Sequence, residues 1–304
     1  MKQIDGLSAE SIRTAPDSTP VPSEVPVNED ELAFPSLAEV QIVQAGDVAL
    51  YTLEESDLQA QIDACPTCHG LGVLRNRLPH THRRFGQFDP CPDCAHLHRE
   101  QSRRRRDRLL SPIVERYSTL RGELLRRTFA GYDAKVRGAK PAYNAAVRWV
   151  RRVAGEGNDA PIWLYLWGPV GTGKTHLAAA AANYLRERRL PVVMTTMPQL
   201  LGLIRGMSQW DAKEKLLVHL SQMPVLIIDD VGAENKTGWT QENLFRIVDT
   251  RYNLALPTLI AANCDPGLLG EDRVASRIQD TAVGRVVPLK AKDYRTREAG
   301  ERAG

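Results

Sequence analysis

Apolar residues from about position 128 onward recur in two alternating patterns. Short unbroken runs predict buried strands, whereas apolar positions three and four residues apart predict amphipathic helices. The predicted strands are 162–167, 192–194, 225–230, 258–262 and 285–289. The predicted helices are 143–154, one that starts near 175, 198–206, 210–220, 240–253 and 273–279. This alternation is typical of a parallel sheet with helices on both faces, so we predict an α/β fold.

The first half of the chain lacks this alternation. Residues 1–35 are rich in Pro, Ser, Asp and Glu and hold little apolar surface, which predicts a disordered arm. We assign residues 36–98 to a small N-terminal domain and residues 99–127 to a basic helical connector. Residues 128–295 form the predicted α/β domain, and residues 296–304 a mobile tail.

Composition narrows the class of protein. The 304 residues are 42% hydrophobic and 25% charged, with a net charge of +3, which is ordinary for a globular chain. No stretch approaches the roughly 18 consecutive apolar residues of a membrane span, and residues 1–5 form no apolar signal region. We therefore expect a cytoplasmic protein with no membrane partner, whose five cysteines form no disulfide framework.

The segment Gly-Pro-Val-Gly-Thr-Gly-Lys-Thr at 168–175 is a full match to the phosphate-binding loop. Its glycines leave room for backbone N–H groups to surround a polyphosphate. Lys174 supplies a positive charge to the β and γ phosphates, Thr175 offers a hydroxyl to Mg²⁺, and the following helix directs its positive end at the anion. ATP or GTP is thus predicted to bind at Gly168, Pro169, Val170, Gly171, Thr172, Gly173, Lys174, Thr175 and His176.

Two carboxylates end the apolar run 225–230. A buried parallel strand delivers such acids to its carboxyl edge, where Asp229 is predicted to hold Mg²⁺ together with Thr175. Asp230 stands where many such ATPases carry the glutamate that polarises the attacking water. Because aspartate is one methylene shorter, slow or differently arranged hydrolysis is expected. The alternative is an Asp-Asp pair that only caps a strand-to-loop turn.

Two Cys-x-x-Cys pairs precede the α/β domain, with residues 69–90 between them. Such pairs let four thiolates converge on one ion, so we predict a Zn²⁺ site formed by Cys65, Cys68, Cys91 and Cys94. Unrelated buried thiols or redox pairs are the alternative. A nearby histidine can also replace one cysteine; the candidates are His69, His80, His82, His96 and His98. Since four protein ligands close the coordination sphere, the module is expected to bind a partner or nucleic acid.

The connector contains four consecutive arginines, 103–106, and a predicted helix break near Ser111 and Pro112. Such a basic run can follow the phosphates of a nucleic acid with a salt-sensitive affinity. The alternative is a solvated linker helix whose charges serve only solubility.

Three stretches of the α/β domain together resemble the AAA+ ATPases of the DnaC/DnaI/IstB group. They are residues 166–178, 226–234 and 257–263, and the similarity covers about residues 128–295. Residues 127–133 are also similar to the "TFxNFD" segment that leads into the ATPase core and borders the adenine. The zinc module ahead of the core is more like the DnaI branch than the DnaC branch. The resemblance implies an AAA+ P-loop ATPase core.

The same resemblance implies three further catalytic residues beside Asp230. Asn263 closes a core strand where the group carries its sensor-1 residue, which contacts the γ-phosphate or the lytic water. Residues 273–277 are similar to the group's "ERxxSR" box, which makes Arg277 the arginine finger that reaches a neighbouring subunit's ATP. Arg295 matches the position of the sensor-2 arginine.

Members of this group load a hexameric, DnaB-like replicative helicase onto single-stranded DNA and assemble on ATP. The resemblance implies the same function here, with Arg205, Lys213 and Lys215 in the segment where members contact the strand. One alternative is an IstB-like helper ATPase that assists a transposase. Another is a zinc-dependent interaction adaptor that binds nucleotide and barely hydrolyses it.

Overall fold

The computed structural model describes residues 54–232, 237–291 and 293–294. The helices are α1 (Glu55–Asp63), α2 (Ala95–Tyr117), α3 (Lys140–Val153), α4 (Lys174–Glu187), α5 (Met197–Gly206), α6 (Trp210–Gln222), α7 (Gly238–Asn253) and α8 (Asp272–Gln279). The strands are β1 (Val73–Arg75), β2 (Phe88–Pro90), β3 (Trp163–Trp167), β4 (Val192–Thr196), β5 (Val225–Val231), β6 (Thr258–Ala262) and β7 (Gly284–Pro288). Short 3-10 turns cover Gly122–Arg126 and Pro266–Leu268.

Several predictions from the sequence fall outside the described residues. They are the arm 1–35, the first part of the predicted small domain (36–53), Arg295 and the tail 296–304. Within the described ranges, no helix combines the length and apolarity needed to cross a membrane.

Five parallel strands form the central sheet in the order β4-β5-β6-β3-β7. Successive side chains of each strand face opposite layers, because the side-chain period of a strand is two. Leu164 and Leu166 of β3 pack with α3 and α4, whereas Trp163 and Tyr165 pack with the layer that contains α5, α6, α7 and α8. The predicted α/β fold with helices on both faces of a parallel sheet is confirmed.

The helices that cover the sheet bury one face each, as their spacing predicts. In α3, Ala142, Ala146, Trp149 and Val150 are buried at intervals of three and four residues. α4 is an exception, because its five consecutive alanines 178–182 are all buried and so cover its whole circumference; their small side chains permit close packing. Close packing here matters because α4 begins at the end of the phosphate-binding loop.

The small N-terminal module consists of α1, the β1-β2 hairpin and the start of α2. Its interior is formed by Leu58, Ile62 and Leu97, which surround the four cysteines. Because this apolar cluster is small, a metal ion held by the four cysteines would contribute to the folding of the module.

The predicted break near Ser111 and Pro112 is wrong, because α2 continues through both residues to Tyr117. A proline inside a helix removes one backbone hydrogen bond, which normally favours a kink or an end. Here Leu110 and Tyr117, on either side of Pro112, are buried in the core of the α/β domain. This packing holds the helix together, and the predicted boundary at 98/99 consequently falls inside one continuous helix.

The chain after α2 is joined to the edge of the sheet. The backbone N–H of Thr119 donates to the carbonyl oxygen of Met194 on β4 at 2.6 Å, and the Thr119 hydroxyl donates to the same oxygen at 3.0 Å. This contact covers part of an edge strand, where unpaired backbone groups would otherwise be open.

Candidate functional site

The loop between β3 and α4 adopts the compact turn that its glycines predict. Gly171 and Gly173 have φ angles of +78° and +95°, in the left-handed region that side chains disfavour. A Cβ at Gly173 would also lie 2.8 Å from Cε2 of Tyr132, and one at Gly168 would collide with the carbonyl oxygen of Leu289. Larger residues at these positions would therefore displace the neighbouring chain.

Lys174 occupies the first position of α4 and is buried. Its ammonium donates to the carbonyl oxygens of Gly168 and Pro169, both at 2.7 Å. The Thr172 hydroxyl donates to the same Pro169 oxygen at 2.9 Å. The positive charge is thus held against the loop itself, where a polyphosphate oxygen would offer it a stronger acceptor.

Asp229 lies beneath the loop on β5, in register with Thr196 of β4. Burial raises the pKa of its carboxyl group, whereas a hydrogen bond with the Thr175 hydroxyl and the charge of Lys174 act in the opposite direction. The two predicted magnesium ligands are therefore in direct contact, and Thr175 is exposed at the start of α4. A carboxylate beside a hydroxyl forms the oxygen-rich site that Mg²⁺ requires.

Asp230 departs from the regular strand. Its φ angle is +57°, and the pairing of β5 with β6 slips between Ile228 and Val231. Aspartate tolerates this left-handed conformation better than most residues. The irregularity turns the carboxylate toward Asn263, whose side-chain amide donates to Oδ1 of Asp230 at 2.8 Å. Two of the predicted catalytic residues are thereby brought together.

Two contacts on the loop were not predicted from the sequence. The backbone N–H of Tyr294 donates to the carbonyl oxygen of Gly171 at 3.0 Å, and the Asp293 side chain lies against the same glycine. Among the residues that follow β7, the resemblance pointed only to Arg295. The chain after β7 therefore crosses the loop, a contact that no local pattern indicates.

A cluster of rings borders the other side of the loop. The Tyr132 hydroxyl donates to the carbonyl oxygen of Thr172 at 3.5 Å, and its ring stacks on Tyr143 with centroids 5.8 Å apart. His176 contacts the carbonyl oxygen of Thr128 through Nε2 at 2.9 Å, and burial lowers the pKa of its imidazole. The segment that resembles the adenine-bordering phrase thus lies against the loop and the start of α4, while its contact with the adenine stays a prediction.

Arg277 lies away from the phosphate-binding loop and from the residues around it. On α8 it forms an ion pair with Asp249 of α7, and its guanidinium lies 5.7 Å from the Tyr252 ring. The Tyr252 ring in turn contacts Trp163, the first residue of β3, with centroids 6.4 Å apart. The phosphate-binding loop follows Trp167 at the other end of that strand. Arg277 therefore lies toward the amino edge of the sheet, and its action on a neighbouring subunit stays a prediction.

The four cysteines form a compact cluster. Their Sγ atoms all lie within 4.8 Å of one another, and all four side chains are buried. Tetrahedral zinc with Zn–S bonds near 2.3 Å requires sulfurs about 3.8 Å apart. The Cys65 and Cys91 sulfurs are 3.8 Å apart, and none of the four forms a disulfide. The cluster fits one Zn²⁺ ion.

The surroundings of the cluster favour a thiolate at Cys68, whereas burial and the neighbouring sulfurs raise the pKa of the Cys94 thiol. The backbone N–H of Gly72 donates to Sγ of Cys68 at 3.2 Å, and Cys94 is the N-cap of α2, where the helix presents its positive end. Burial raises the pKa of the Cys68 thiol, but hydrogen bonds with Cys94 and Gly72 outweigh it and lower the pKa to about 7. In the described part of the chain, the metal-binding group contains these four cysteines and no histidine.

Three of the four arginines in the α2 run are paired with acids, and two of these three share one carboxylate. Arg103 and Arg104 form ion pairs with Glu100, and Arg106 is buried and paired with Asp107. Arg105 is the only exposed member of the run. Its charges therefore serve the fold of α2 more than an open track for phosphates.

The family model of the bacterial DnaA ATPase domain matches residues 126–283. These residues include the phosphate-binding loop, both aspartates and Asn263. The match confirms the prediction of an ATPase core in this half of the chain.

Two curated relatives are replicative helicase loaders. The chain is 33% identical over 104 residues to DnaI of Bacillus subtilis, an alignment that covers 34% of this chain and 33% of DnaI. It is 30% identical over 158 residues to DnaC of Escherichia coli K12, with 50% of this chain and 62% of DnaC covered. The predicted resemblance to this group is confirmed, although the chain spans only a third to under two thirds of the length of these relatives.

Among solved structures, a crystal structure of DnaI superposes on the chain with a TM-score of 0.48 at 26% identity. The superposition covers 58% of this chain and 95% of that one.

Proposed function

We propose that this chain, which belongs to the family of bacterial DnaA ATPase domains, is an ATP-dependent helicase loader. It would place a hexameric replicative helicase onto single-stranded DNA. Both curated relatives are named replicative helicase loaders. The observation that carries the proposal is the contact between Thr175 and Asp229 beneath the phosphate-binding loop. It joins the two groups that anchor a magnesium–triphosphate complex in P-loop ATPases.

Lys174 is the side chain that we expect to change partners when ATP binds. Its ammonium would exchange the carbonyl oxygens of Gly168 and Pro169 for charged oxygens of the β and γ phosphates. Thr175 and Asp229 would hold Mg²⁺, which supplies positive charge beside the phosphates. The backbone N–H groups of the loop and the start of α4 would hold the remaining phosphate charge.

Asp230 is the residue that we assign to the attacking water. Its carboxylate would accept a hydrogen bond from that water and so direct the oxygen at the γ-phosphorus, while the bond to ADP breaks. Asn263 would fix the carboxylate through their hydrogen bond and offer its amide to the γ-phosphate. Because this aspartate is shorter than the usual glutamate, we expect slow turnover.

Arg277 would act on ATP held by a neighbouring copy. It lies toward the amino edge of its own sheet, whereas its own loop lies at the carboxyl edge. An arginine supplied by a second subunit couples hydrolysis to assembly, because the transition-state charge is stabilised only when subunits meet. We propose on this ground that the chain self-assembles on ATP.

The same proposal assigns one surface to the helicase and another to single-stranded DNA. The cysteine cluster would bind Zn²⁺ and fold the module that docks the helicase. Single-stranded DNA would pass along the start of α6 and α7, where Trp210 is 70% exposed. At the end of α5, Arg205 lies 4.7 Å from the ring of Trp239, the second residue of α7, so a cation and an indole are available there for phosphates and bases.

The decisive experiment compares Lys174→Ala with wild type in nucleotide binding and in loading of a purified hexameric helicase onto a single-stranded circle. We expect ATP affinity and loading to be lost together, because the variant removes the only loop side chain that reaches the phosphates with a charge. Lys135→Ala, at an exposed lysine outside the loop, is the matched control. Unchanged ATP affinity in Lys174→Ala would refute the nucleotide site. Loading by wild type that is independent of ATP would refute the proposed function.

A second variant addresses assembly. Arg277→Ala is expected to bind ATP with unchanged affinity and to lose the hydrolysis that rises with protein concentration. Wild-type hydrolysis at every protein concentration would exclude action on a neighbouring subunit.

A further inference from the structure

One face of the β1-β2 hairpin is turned to the interior of the N-terminal module, and the other face is turned to solvent. Leu74 packs against the cysteine cluster. On the opposite face, pairing places Arg75 directly across from Phe88, whose side chain is 63% exposed. Directly opposed residues lie about 5 Å apart, so the ring and the guanidinium are neighbours.

The loop that joins the two strands adds a second exposed ring. Phe85 is 50% exposed and lines a shallow pocket together with Arg75, Arg77 and Leu78. We call the surface formed by Arg75, Arg77, Phe85 and Phe88 the hairpin face. Two exposed rings on one short hairpin, bordered by arginines, are the kind of apolar patch with a polar rim that marks a binding surface.

The charge of this region selects an anionic ligand. Residues 69–90 contain four arginines (75, 77, 83 and 84) and one acid, Asp89. Arg84 is paired with Asp89, whereas Arg75, Arg77 and Arg83 form no salt bridge with any other described residue. In the α2 run, by comparison, three of the four arginines are paired with Glu100 or Asp107. The hairpin therefore carries most of the unmatched positive charge of the module.

Aromatic rings interleaved with unmatched arginines are the surface that single-stranded nucleic acids require. Bases stack on the rings without regard to sequence, and the guanidinium groups hold the phosphates between them. A duplex would hide its bases from the rings, so it offers a poorer fit. An acidic protein segment would satisfy the arginines but gains no stacking from Phe85 and Phe88.

We propose that the hairpin face binds single-stranded DNA, as a second contact for the strand that is separate from the ATPase core. Phe85 and Phe88 stack on bases, and Arg75 and Arg77 hold the flanking phosphates. The choice of DNA over RNA rests on the proposed function, whereas the single-stranded, anionic character of the ligand rests on the hairpin itself.

The test measures binding of a labelled oligothymidylate of about 16 nucleotides to the full, zinc-loaded chain by fluorescence anisotropy without added nucleotide. Phe85→Ala and Phe88→Ala are each expected to weaken binding about tenfold, as loss of one stacked base predicts. Arg75→Gln and Arg77→Gln are each expected to lower the slope of log affinity against log salt by about 0.7. The matched control is Leu254→Ala, at an exposed apolar residue of the ATPase core.

Zinc content and the helical circular dichroism of each variant show whether the module is still folded. The same variants are also made with Arg205→Gln, so that DNA held by the ATPase core cannot mask a loss at the hairpin. Unchanged DNA affinity in both phenylalanine variants would overturn the proposal. So would loss of helicase binding with DNA affinity intact, which would make the face a protein-docking surface, or tighter binding of oligouridylate than of oligothymidylate.

The two proposals fail separately. Lys174→Ala is expected to keep the hairpin-dependent DNA affinity, because no nucleotide is needed for it. If that affinity is present and no helicase is loaded by wild type, only the proposed function is refuted.

Discussion

The side-chain amide of Asn263, at the end of β6, donates a 2.8 Å hydrogen bond to the carboxylate of Asp230 on the neighbouring strand β5. The bond exists because β5 slips its register after Ile228 and places Asp230 at a positive φ angle. A regular strand would direct residue 230 to the opposite layer from residue 229. The irregularity instead keeps both acids available at the carboxyl edge of the sheet.

This geometry predicts separate roles for the two acids. Asp230→Asn should lower the rate of ATP hydrolysis about a hundredfold or more, because the amide cannot accept a proton or orient water as the carboxylate does. Its ATP affinity should stay within a few fold of wild type, since Thr175 and Asp229 are unchanged. Phosphate release and titration with a fluorescent ATP analogue measure the two quantities.

Asn263→Ala is the companion variant for that prediction. It leaves the Asp230 carboxylate in place without its donor, so we expect a smaller loss of turnover than in Asp230→Asn. Full turnover in Asp230→Asn would assign the water to another residue. Loss of ATP affinity in it would mean that Asp230, and not only Asp229, holds the metal.

Local patterns predicted the elements of the ATPase core because each strand is a short apolar run and each helix has a buried stripe. The same patterns predicted that Lys174, Thr175 and Asp229 meet at one edge of the sheet, and they lie together there, while their roles stay predictions. They failed at Pro112, where burial of Leu110 and Tyr117 outweighs the local cost of a proline. Packing of this kind depends on residues far away in sequence.

Long-range contacts also explain what the sequence did not reveal about the sites. The approach of Asp293 and Tyr294 to Gly171 joins segments more than a hundred residues apart, and neither residue belongs to a pattern that points to the loop. The arginine run shows a related effect. Three of its four arginines are paired with Glu100 or Asp107, which a count of basic residues overlooks, and its contact with phosphates stays a prediction.

The cysteine cluster predicts a metal-dependent module. Cys91→Ser should remove bound zinc and unfold residues 55–98, because the interior there consists of a few apolar side chains around the sulfurs. Metal analysis and limited proteolysis of the full chain measure both effects. The control is Cys264→Ser, at the cysteine outside the cluster. Wild-type protein purified without zinc, yet resistant to proteolysis in the module, would contradict the prediction.

We predict that substitution of Arg251, which lies outside the predicted sites, has a large effect on stability. It is completely buried, and its guanidinium donates to the carbonyl oxygens of Ser221, Met223 and Pro257, which joins the end of α6 to the start of β6. Burial lowers its pKa to about 9. Arg251→Met would leave those oxygens without donors, so we expect the free energy of unfolding to fall by about 2–4 kcal/mol.

Urea unfolding at neutral pH measures the effect of Arg251→Met. The exposed Arg105 supplies the matched control, since Arg105→Met should change the free energy of unfolding by less than about 0.5 kcal/mol. Equal effects of the two substitutions would show that the buried hydrogen bonds add nothing to stability.

Glu156 gives a prediction about pH. Its carboxylate accepts hydrogen bonds from the Tyr184 hydroxyl and from Nε of Arg188, the latter at 2.5 Å. Burial raises the pKa of Glu156, but these two partners outweigh it and hold the pKa below 4.5. As the pH falls, Glu156 is therefore protonated in the unfolded chain at a higher pH than in the folded protein. The stabilisation is fully present above about pH 4.5 and is lost as the pH falls through the folded-state pKa.

Glu156→Gln should accordingly lower the free energy of unfolding by about 0.5–1 kcal/mol near neutral pH, because the group is partly exposed and solvent screens the ion pair. The difference from wild type should shrink as the pH is lowered below about 4.5, since both proteins then carry an uncharged side chain. Urea unfolding at closely spaced pH values measures it. Glu187→Gln, at an exposed carboxyl group one turn beyond Tyr184, is the control. A difference for Glu156→Gln that grows on acidification would mean that the carboxylate is unfavourable in the folded protein, and would reverse the role assigned to its two partners.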